Sequence, residues 1–599
     1  MPTMTETKSL CEAFQRTAAA HPERPALRIH GEALEITWAE YAGYVRRIAA
    51  GLATLGVSRG DTVGLMMVNR PEFYLCDTAA MHLGATPFSL YNTSSAEQIS
   101  YILGNAGNSV MVCEAAFVER LQAAGGDNLQ IVCIDGWPEG TISLDKLMEQ
   151  GAPDFDFDGA WQAVGPQDLL TLIYTSGTTG PPKGVEITHA GVLAMLDAVS
   201  DMFPLAPDDR TISYLPSAHL ADRLFSHYQQ VISGLSLTCL ADPRQLAAAL
   251  LDARPTLWLA VPRVWEKLKA AIEAAAERET DPHRQEALRW AIDVGLRKVR
   301  AEQAANRGQG PGPDDALLSE YAQADVAVLS KLRAKIGLDE VRWSAVGAAP
   351  ISLGVLEFFG AIGLLIREVW GMSELGIGTC NPPGRERLGT VGVVMPGYEL
   401  RLAPDGEILA RGPGIMRGYR HDPEKTAETI DPDGWLHTGD VGIVDADGYY
   451  SIVDRKKELI INSGGKNMSP VNIESKLKSA SLLIGQAVCI GDLRSYNVAL
   501  IVLDPDAGAA YAAGQGLPSA SPADLCTDPG VLAVVEAAVE KANSELSRIE
   551  QIKRFAILPV DWEPGGEELT PTMKLKRKPI ALKYAEVIDS LYAGGEEGE

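Results

Sequence analysis

A glycine-rich loop between a strand-like run and a helix-like run constrains this chain more than any other segment. Residues 169–173 are apolar and β-rich, YTSGTTGPPKG occupies 174–184, and 190–198 reads as helix. That succession belongs to a layered α/β fold. Within the loop, Thr175, Ser176, Thr178 and Thr179 offer hydroxyls and Lys183 a positive charge. Gly177, Gly180 and Gly184 let the backbone turn tightly and bare its N–H groups, and Pro181 and Pro182 fix φ at the exit. Such a loop can wrap a polyphosphate and set one lysine against it. The nucleotide-hydrolase P-loop places Ser or Thr after its lysine to hold Mg²⁺. Here Gly184 follows Lys183, so a metal must be held elsewhere. A flexible surface linker would share this composition, but the flanking runs disfavour it.

A chain of 599 residues is too long for one core, so two or more domains are expected. Strand-like runs at 62–68, 109–113, 129–134, 211–215 and 236–240 alternate with helix-like runs such as 40–55 and 96–103. Residues 266–304 are charged, alanine-rich and helical in period. They read as an exposed helical excursion, followed by a loop over 301–315. Asp-Gly turns at 405–406, 433–434 and 447–448 suggest a small antiparallel or barrel-like unit. After Asp454-Arg455 comes an α+β module of about 145 residues with an acidic tail at 594–599. The expected organisation is a large N-terminal region, 1–453, of layered α/β sheets with a barrel-like unit, plus a small mobile α+β domain, 454–599. A boundary inside Asp-Arg-Lys-Lys suggests a short hinge about which the small domain rotates.

The formal net charge of −26 argues against general nucleic-acid binding, though a local cluster can still hold an anion. The eight cysteines are scattered without a CxxC pair, which argues against a zinc site or a disulfide framework and fits a reducing cytosol. The first residues have no signal-peptide core, and no apolar stretch reaches the roughly 18 residues of a membrane span.

Three further motifs carry chemistry. In WGMSE at 370–374, Glu374 in a glycine-containing turn past a strand is placed to ligate Mg²⁺ on a polyphosphate, and Trp370 to pack on a base or wall an acyl pocket. In GWLHTGD at 434–440, a buried Asp440 can accept hydrogen bonds from two vicinal ribose hydroxyls, with Arg455 adding a donor. PTMKLKRK at 571–578 is either a basic surface patch or a lysine finger, with Lys574 pointing inward and Lys576 facing the same way in a strand.

In this order and spacing, together with DRKKELIINSGGKNMSPVNIE at 454–474, the motifs resemble the acyl-adenylate-forming enzymes, and most of all the AMP-forming long-chain fatty acyl-CoA synthetases. The resemblance covers nearly the whole chain. It implies that Thr175, Ser176, Thr178, Thr179 and Lys183 bind triphosphate and that Gly347, Ala348 and Ala349 stack beside adenine. Glu374 would bind Mg²⁺, Asp440 and Arg455 the ribose. Asp454 would mark the hinge, Gly464, Gly465 and Lys466 would line the pantetheine path, and Lys574 would bridge carboxylate and α-phosphate. NTS at 92–94, SAHLADR at 217–223 and VPRVW at 261–265 resemble the long-chain group. His219 would sit near the carboxylate or cap the acyl tunnel, or be a structural histidine. Trp265 resembles the tunnel's aromatic gate, or is a core residue. The chain departs from the family at Ala348, where many relatives have glycine, and at Ser217-Ala218.

The resemblance thus implies ligation of a medium-to-long-chain fatty acid to coenzyme A, with ATP and Mg²⁺. The alternatives are transfer of the acyl group to a carrier protein and a silent nucleotide-binding scaffold. No nucleic-acid partner is expected. A cytoplasmic location is expected, with transient peripheral contact at the inner face of a membrane and a homodimer both left open.

Overall fold

The computed structural model describes residues 7–125, 128–175, 181–461, 467–516, 520–570 and 573–593. Its widest element is an eight-stranded sheet. Thr141–Ser143, Gln130–Cys133, Val110–Cys113, Thr62–Met66, Thr86–Ser89 and Leu169–Thr175 run parallel across it. Thr62–Met66 and Val110–Cys113 are buried at every position, as parallel strands covered on both faces must be. Leu169–Thr175 then pairs antiparallel with Lys183–Thr188, and the helix His189–Met202 starts only afterwards. The strand between loop and helix was not read from the sequence. It brings Lys183 directly opposite Thr175.

A second sheet carries Leu257–Ala260, Trp343–Val346 and Ile366–Met372 in parallel, followed by antiparallel Gly376–Cys380 and Val393–Val394. A third combines Arg210–Ser213, Ser236–Cys239, Pro25–Ile29 and Glu35–Thr37. The Asp-Gly turns serve a fourth, antiparallel sheet of Glu399–Leu402, Glu407–Arg411, Leu436–Val444 and Tyr450–Arg455. Gly406, Gly434 and Gly448 have φ of +83°, +80° and +85°, which explains glycine at each. This is the barrel-like unit.

The helical excursion differs from its reading. It is two helices, Pro262–Glu277 and Pro282–Asn306, restarted by Asp281, whose side chain caps the second, with Pro282 in its first turn. Nor is it simply solvated. Ala291, Val294 and Val299 are buried, and a Cβ on Gly295 would lie 2.2 Å from the Ala361 carbonyl oxygen, so this helix packs tightly on Leu353–Ala361. The helix also runs past 301. Gln303 and Arg307 bond to the backbone of 386 and 388, holding its last turn in place.

In the C-terminal part, Asn497–Leu503 is the central strand of a three-stranded sheet and is buried throughout. Its side chains alternate: Ala499, Ile501 and Leu503 join one core under Pro470–Ala480 and Pro529–Ser544. Leu500 and Val502 join another beneath Ile580 and Ile588. None of the helices among the described residues is long and apolar enough to cross a membrane.

Candidate active site

The described edges of the glycine-rich loop are Thr175 and Lys183. Ser176, Gly177, Thr178, Thr179 and Gly180 lie outside the described residues, as do Gly464, Gly465 and Lys466. The Lys183 ammonium stands 4.7 Å from the centre of the Tyr419 ring, and the Tyr419 hydroxyl donates to Glu374 Oε1 at 2.8 Å. Burial lowers the Lys183 pKa, while the nearby Glu374 carboxylate opposes the shift. Lys183 and Glu374, far apart in sequence, are thus joined through Tyr419, which the sequence reading missed. Glu374 is buried in the turn between Ile366–Met372 and Gly376–Cys380. Gly371 must be glycine there, because a Cβ would lie 2.0 Å from the Gly376 carbonyl oxygen.

Asp440 and Arg455 are cross-strand partners. Arg455 Nε lies 2.7 Å from Asp440 Oδ1, and Trp370 Nε1 donates to Oδ2 at 2.7 Å. Burial raises the Asp440 pKa, countered by Arg455 and the Trp370 bond. Trp370 thus orients a carboxylate through its ring nitrogen, a role its sequence did not suggest. Each Asp440 oxygen keeps a further lone pair for a ligand hydroxyl.

Lys574 arrives from the C-terminal part, close enough to Arg455, Asp440, Glu374, Glu458 and His219 for their charges to interact. Its side chain keeps an exposed surface while protein crowds its other sides. That crowding lowers its pKa, with Arg455 adding repulsion and Asp440 opposing. The open surface, more than the crowding, sets how wet the site is. The segment is not a strand: a single bridge pairs Leu569 with Leu575, Thr570 and Lys574 exchange hydrogen bonds, and Lys576 bonds the Gly566 carbonyl instead of following Lys574.

Asp454 is held from two sides. Its backbone is paired with Val441, while its carboxylate accepts from the Ser469 hydroxyl and from Val471 N–H at 3.2 Å, at the start of Pro470–Ala480. Gly347 follows the strand Trp343–Val346, and a Cβ there would lie 2.9 Å from Val369 Cγ2. Ala348 has φ +70°, a left-handed conformation that suits glycine better, and it is exposed with Ala349.

His219 caps a short helix, accepting from Ala221 N–H at 3.1 Å, and burial with Lys574 nearby lowers its pKa to about 4. It is therefore neutral near pH 7. Trp265 is fully buried, edge-on to Trp258 and Phe359 at 4.5 and 4.8 Å, and so sits in the core. Behind His219 lies a buried network with no assigned role in the sequence. Arg223 bonds Asp77 Oδ2 at 2.6 Å, Ser89 and the Ser217 carbonyl, and His227 reaches Asp77 Oδ1 at 3.1 Å. Burial alone would raise Asp77, but Arg223 and His227 hold it below its usual range. Burial pushes Asp222 up to about 6 despite hydrogen bonds from Ser213, Ser217 and Ser226. The available signal was the charged pair Asp222-Arg223 set between the apolar pairs Leu220-Ala221 and Leu224-Phe225.

Residues 14–420 match the AMP-binding enzyme family, and 457–596 match the AMP-binding enzyme C-terminal domain. Over 456 residues the chain is 54% identical to fadD11 of Mycobacterium tuberculosis, covering 76% of this chain and 79% of that one. It is 36% identical to the long-chain-fatty-acid–CoA ligase FadD15 of Mycobacterium bovis, over 94% of this chain and 93% of that one. The fold matches the anthranilate CoA ligase AuaEII, solved with anthranoyl-AMP, with a TM-score of 0.71, 20% identity and coverage of 97% and 98%. The chain belongs to the AMP-binding enzymes and, within them, is closely related to the long-chain fatty-acid–CoA ligases.

Proposed function

We propose that the chain activates a medium-to-long-chain fatty acid with ATP through an acyl-adenylate and transfers the acyl group to coenzyme A. The observation that carries this reading is the meeting of Lys574 with Asp440, Arg455, Glu374 and His219 at one cleft. In the first step a fatty carboxylate oxygen attacks the α-phosphorus, and pyrophosphate leaves with the electron pair of the broken P–O bond. Negative charge grows around phosphorus, where the Lys574 ammonium can meet it. One such preorganised donor contributes on the order of 3 kcal/mol. Asp440, fixed by Arg455 and Trp370, would hold the ribose. In the second step a thiolate attacks the acyl carbonyl and AMP leaves. The neutral His219 adds no competing positive charge beside the carboxylate.

Glu374 fits a magnesium ion as its single protein carboxylate. Among the described residues there is no group of three or more metal-ligating side chains, so the ion would be held mainly by substrate phosphates, as Mg²⁺ favours. When bound, it would neutralise phosphate charge.

Lys574 and an incoming thiol compete for the same space. Residues 1–453 would form the adenylating body, and 454–599 would swing about Asp454 to withdraw the lysine. The test is pyrophosphate release over straight-chain acids from acetate upward, with and without coenzyme A. Long-chain acids should lead, with acyl-CoA formed only when coenzyme A is present. Acetate or an aromatic acid turning over at least about tenfold better in kcat/KM would refute the substrate class.

A further inference from the structure

Hydrogen bonds make the segment 416–420 a bridge between Lys183 and Glu374. On one side it joins the strand that leaves the glycine-rich loop. Arg420 N–H donates to the Gly184 carbonyl at 2.7 Å and Arg417 N–H to the Glu186 carbonyl at 2.9 Å, with Tyr419 in register with Val185. On the other side it grips the Glu374 turn. Met416 N–H donates to the Glu374 carbonyl at 2.9 Å, and the Tyr419 hydroxyl to Glu374 Oε1 at 2.8 Å. The backbone thus fixes where the buried Tyr419 ring stands.

The two charges that the segment spans are opposite in sign. The Lys183 ammonium lies over the Tyr419 ring, 4.7 Å from its centre, and feels the Glu374 carboxylate through charge, without a hydrogen bond to it. Glu374 is buried, so water screens that attraction poorly. A lysine stem is flexible, so what stands between the charges decides whether they meet. A closed Lys183–Glu374 pair would consume both, the ammonium being lost to phosphate and the carboxylate to a cation. Tyr419 answers each charge with a different part of one side chain. Its hydroxyl donates to the carboxylate, and the electron-rich ring face meets the ammonium. The hydroxyl occupies Oε1, which leaves Oε2 for a divalent cation.

We propose that Tyr419 is a positioning residue that keeps Lys183 and Glu374 from pairing, so that the lysine stays available to phosphate and the carboxylate to Mg²⁺. This rests on the reading of the site as one that binds ATP with Mg²⁺. Without the hydroxyl, Glu374 loses a donor that water replaces poorly at a buried position, and the Lys183 ammonium is free to swing to it.

The experiment is calorimetric titration of the whole protein with ATP, once in Mg²⁺ and once in excess chelator, without fatty acid so that nothing turns over. The ratio of the two Kd values is the gain from Mg²⁺. In the wild type Mg²⁺ should tighten ATP binding. Tyr419→Phe, which keeps the ring, should cut that gain about tenfold. Adding Lys183→Gln should restore most of the gain, because nothing then competes for Glu374, even though overall affinity falls for want of the lysine. Lys183→Gln alone should leave the gain near that of the wild type. A loss of packing would not be repaired by taking away a second group. Tyr419→Leu is read in the same way if the phenylalanine variant fails to fold. An unchanged gain in the Tyr419 variant overturns the proposal. So does a loss that Lys183→Gln does not repair, which would make the tyrosine a simple anchor for Glu374. A wild type that binds ATP equally with and without Mg²⁺ overturns it too. If the wild type binds no ATP in either condition, the nucleotide reading falls and this one falls with it. If the wild type shows the gain and releases pyrophosphate with a fatty acid while the variant's gain is unchanged, only this proposal falls.

Discussion

Replacing Trp370 by Phe separates two uses of the same ring. The substitution keeps an aromatic side chain but deletes the Nε1 donor that meets Asp440 Oδ2 at 2.7 Å. Asp440 is 4% exposed, so water cannot readily substitute. A hydrogen bond to a charged group contributes about 1.5–3 kcal/mol, and about 2 kcal/mol corresponds to roughly thirtyfold. With one oxygen no longer anchored, the carboxylate is held by Arg455 alone and presents its lone pairs less well to two ribose hydroxyls. The expected result is an ATP KM raised about ten- to thirtyfold, with the fatty-acid KM changed by less than about twofold. The pH dependence has a definite sign. Burial already raises the Asp440 pKa, and losing the Trp370 bond raises it further. The acid limb of the activity profile should therefore move to higher pH in the variant. The stability lost should be largest above the folded-state pKa of Asp440 and shrink as pH falls through it. Steady-state kinetics with each substrate varied in turn decides the matter. An unchanged ATP KM with a raised fatty-acid KM would show that Trp370 walls the acyl pocket, and would refute its role as an anchor for Asp440.

Three other perturbations follow from the same geometry. Lys574→Ala should lower adenylation by about a hundredfold while sparing much of the thioester step from supplied acyl-AMP, measured as separate half-reactions; equal losses would contradict its placement at the first step. Arg263 and Lys267 pair with Asp504 and Asp506 of the C-terminal part, so Arg263→Gln combined with Lys267→Gln should slow adenylation a fewfold at low salt, and the difference from wild type should narrow at high salt as the exposed Lys267–Asp506 pair is screened. Ala348→Gly should stabilise the protein by about 0.5–1 kcal/mol, because a left-handed alanine costs about 1–2 kcal/mol and the entropy of glycine returns part of it. A lowered melting temperature in calorimetry would count against that strain.

Much of the fold was legible because its strands are short, apolar and bounded by turn residues. Residues 62–68 and 109–113 announce buried strands, and the Asp-Gly turns of the barrel-like unit announce themselves through glycines that must take positive φ. Lys183–Thr188 was missed because the proline pair ahead of it reads as a loop exit, although KGVEIT alternates in the manner of a strand. The site was legible where a local motif carries a charge, as at Glu374, Asp440 and Lys574. It was illegible where a residue acts by reaching a distant one. Tyr419 bonds Glu374 across 45 positions, and Trp370 bonds Asp440 across 70; such pairings depend on sheet order, which no local pattern encodes.

The way the two parts meet bears on how the proposed alternation works. The strong ionic contacts of the C-terminal part are internal to it: Arg577 pairs with the buried Glu474 and with Glu458, all after Asp454. Beside the hinge itself, where Arg455 pairs with Asp440 and Lys456 with Asp405 and Glu407, the ion pairs that reach across include Lys267 with Asp506, both well exposed and worth about 0–1 kcal/mol, and Arg263 with Asp504, whose carboxylate is buried. Asp454 follows the same division, its backbone paired into the sheet of the large part and its carboxylate capping the first helix of the small one. A rotation centred there would carry the capped helix with it and break the Arg263–Asp504 and Lys267–Asp506 pairs at the far side. A strong, dry interface would instead trap Lys574 over the first step and block the second. A strong ionic cluster internal to the small part, and a hinge residue held by both parts, suit a lysine that must both engage and withdraw.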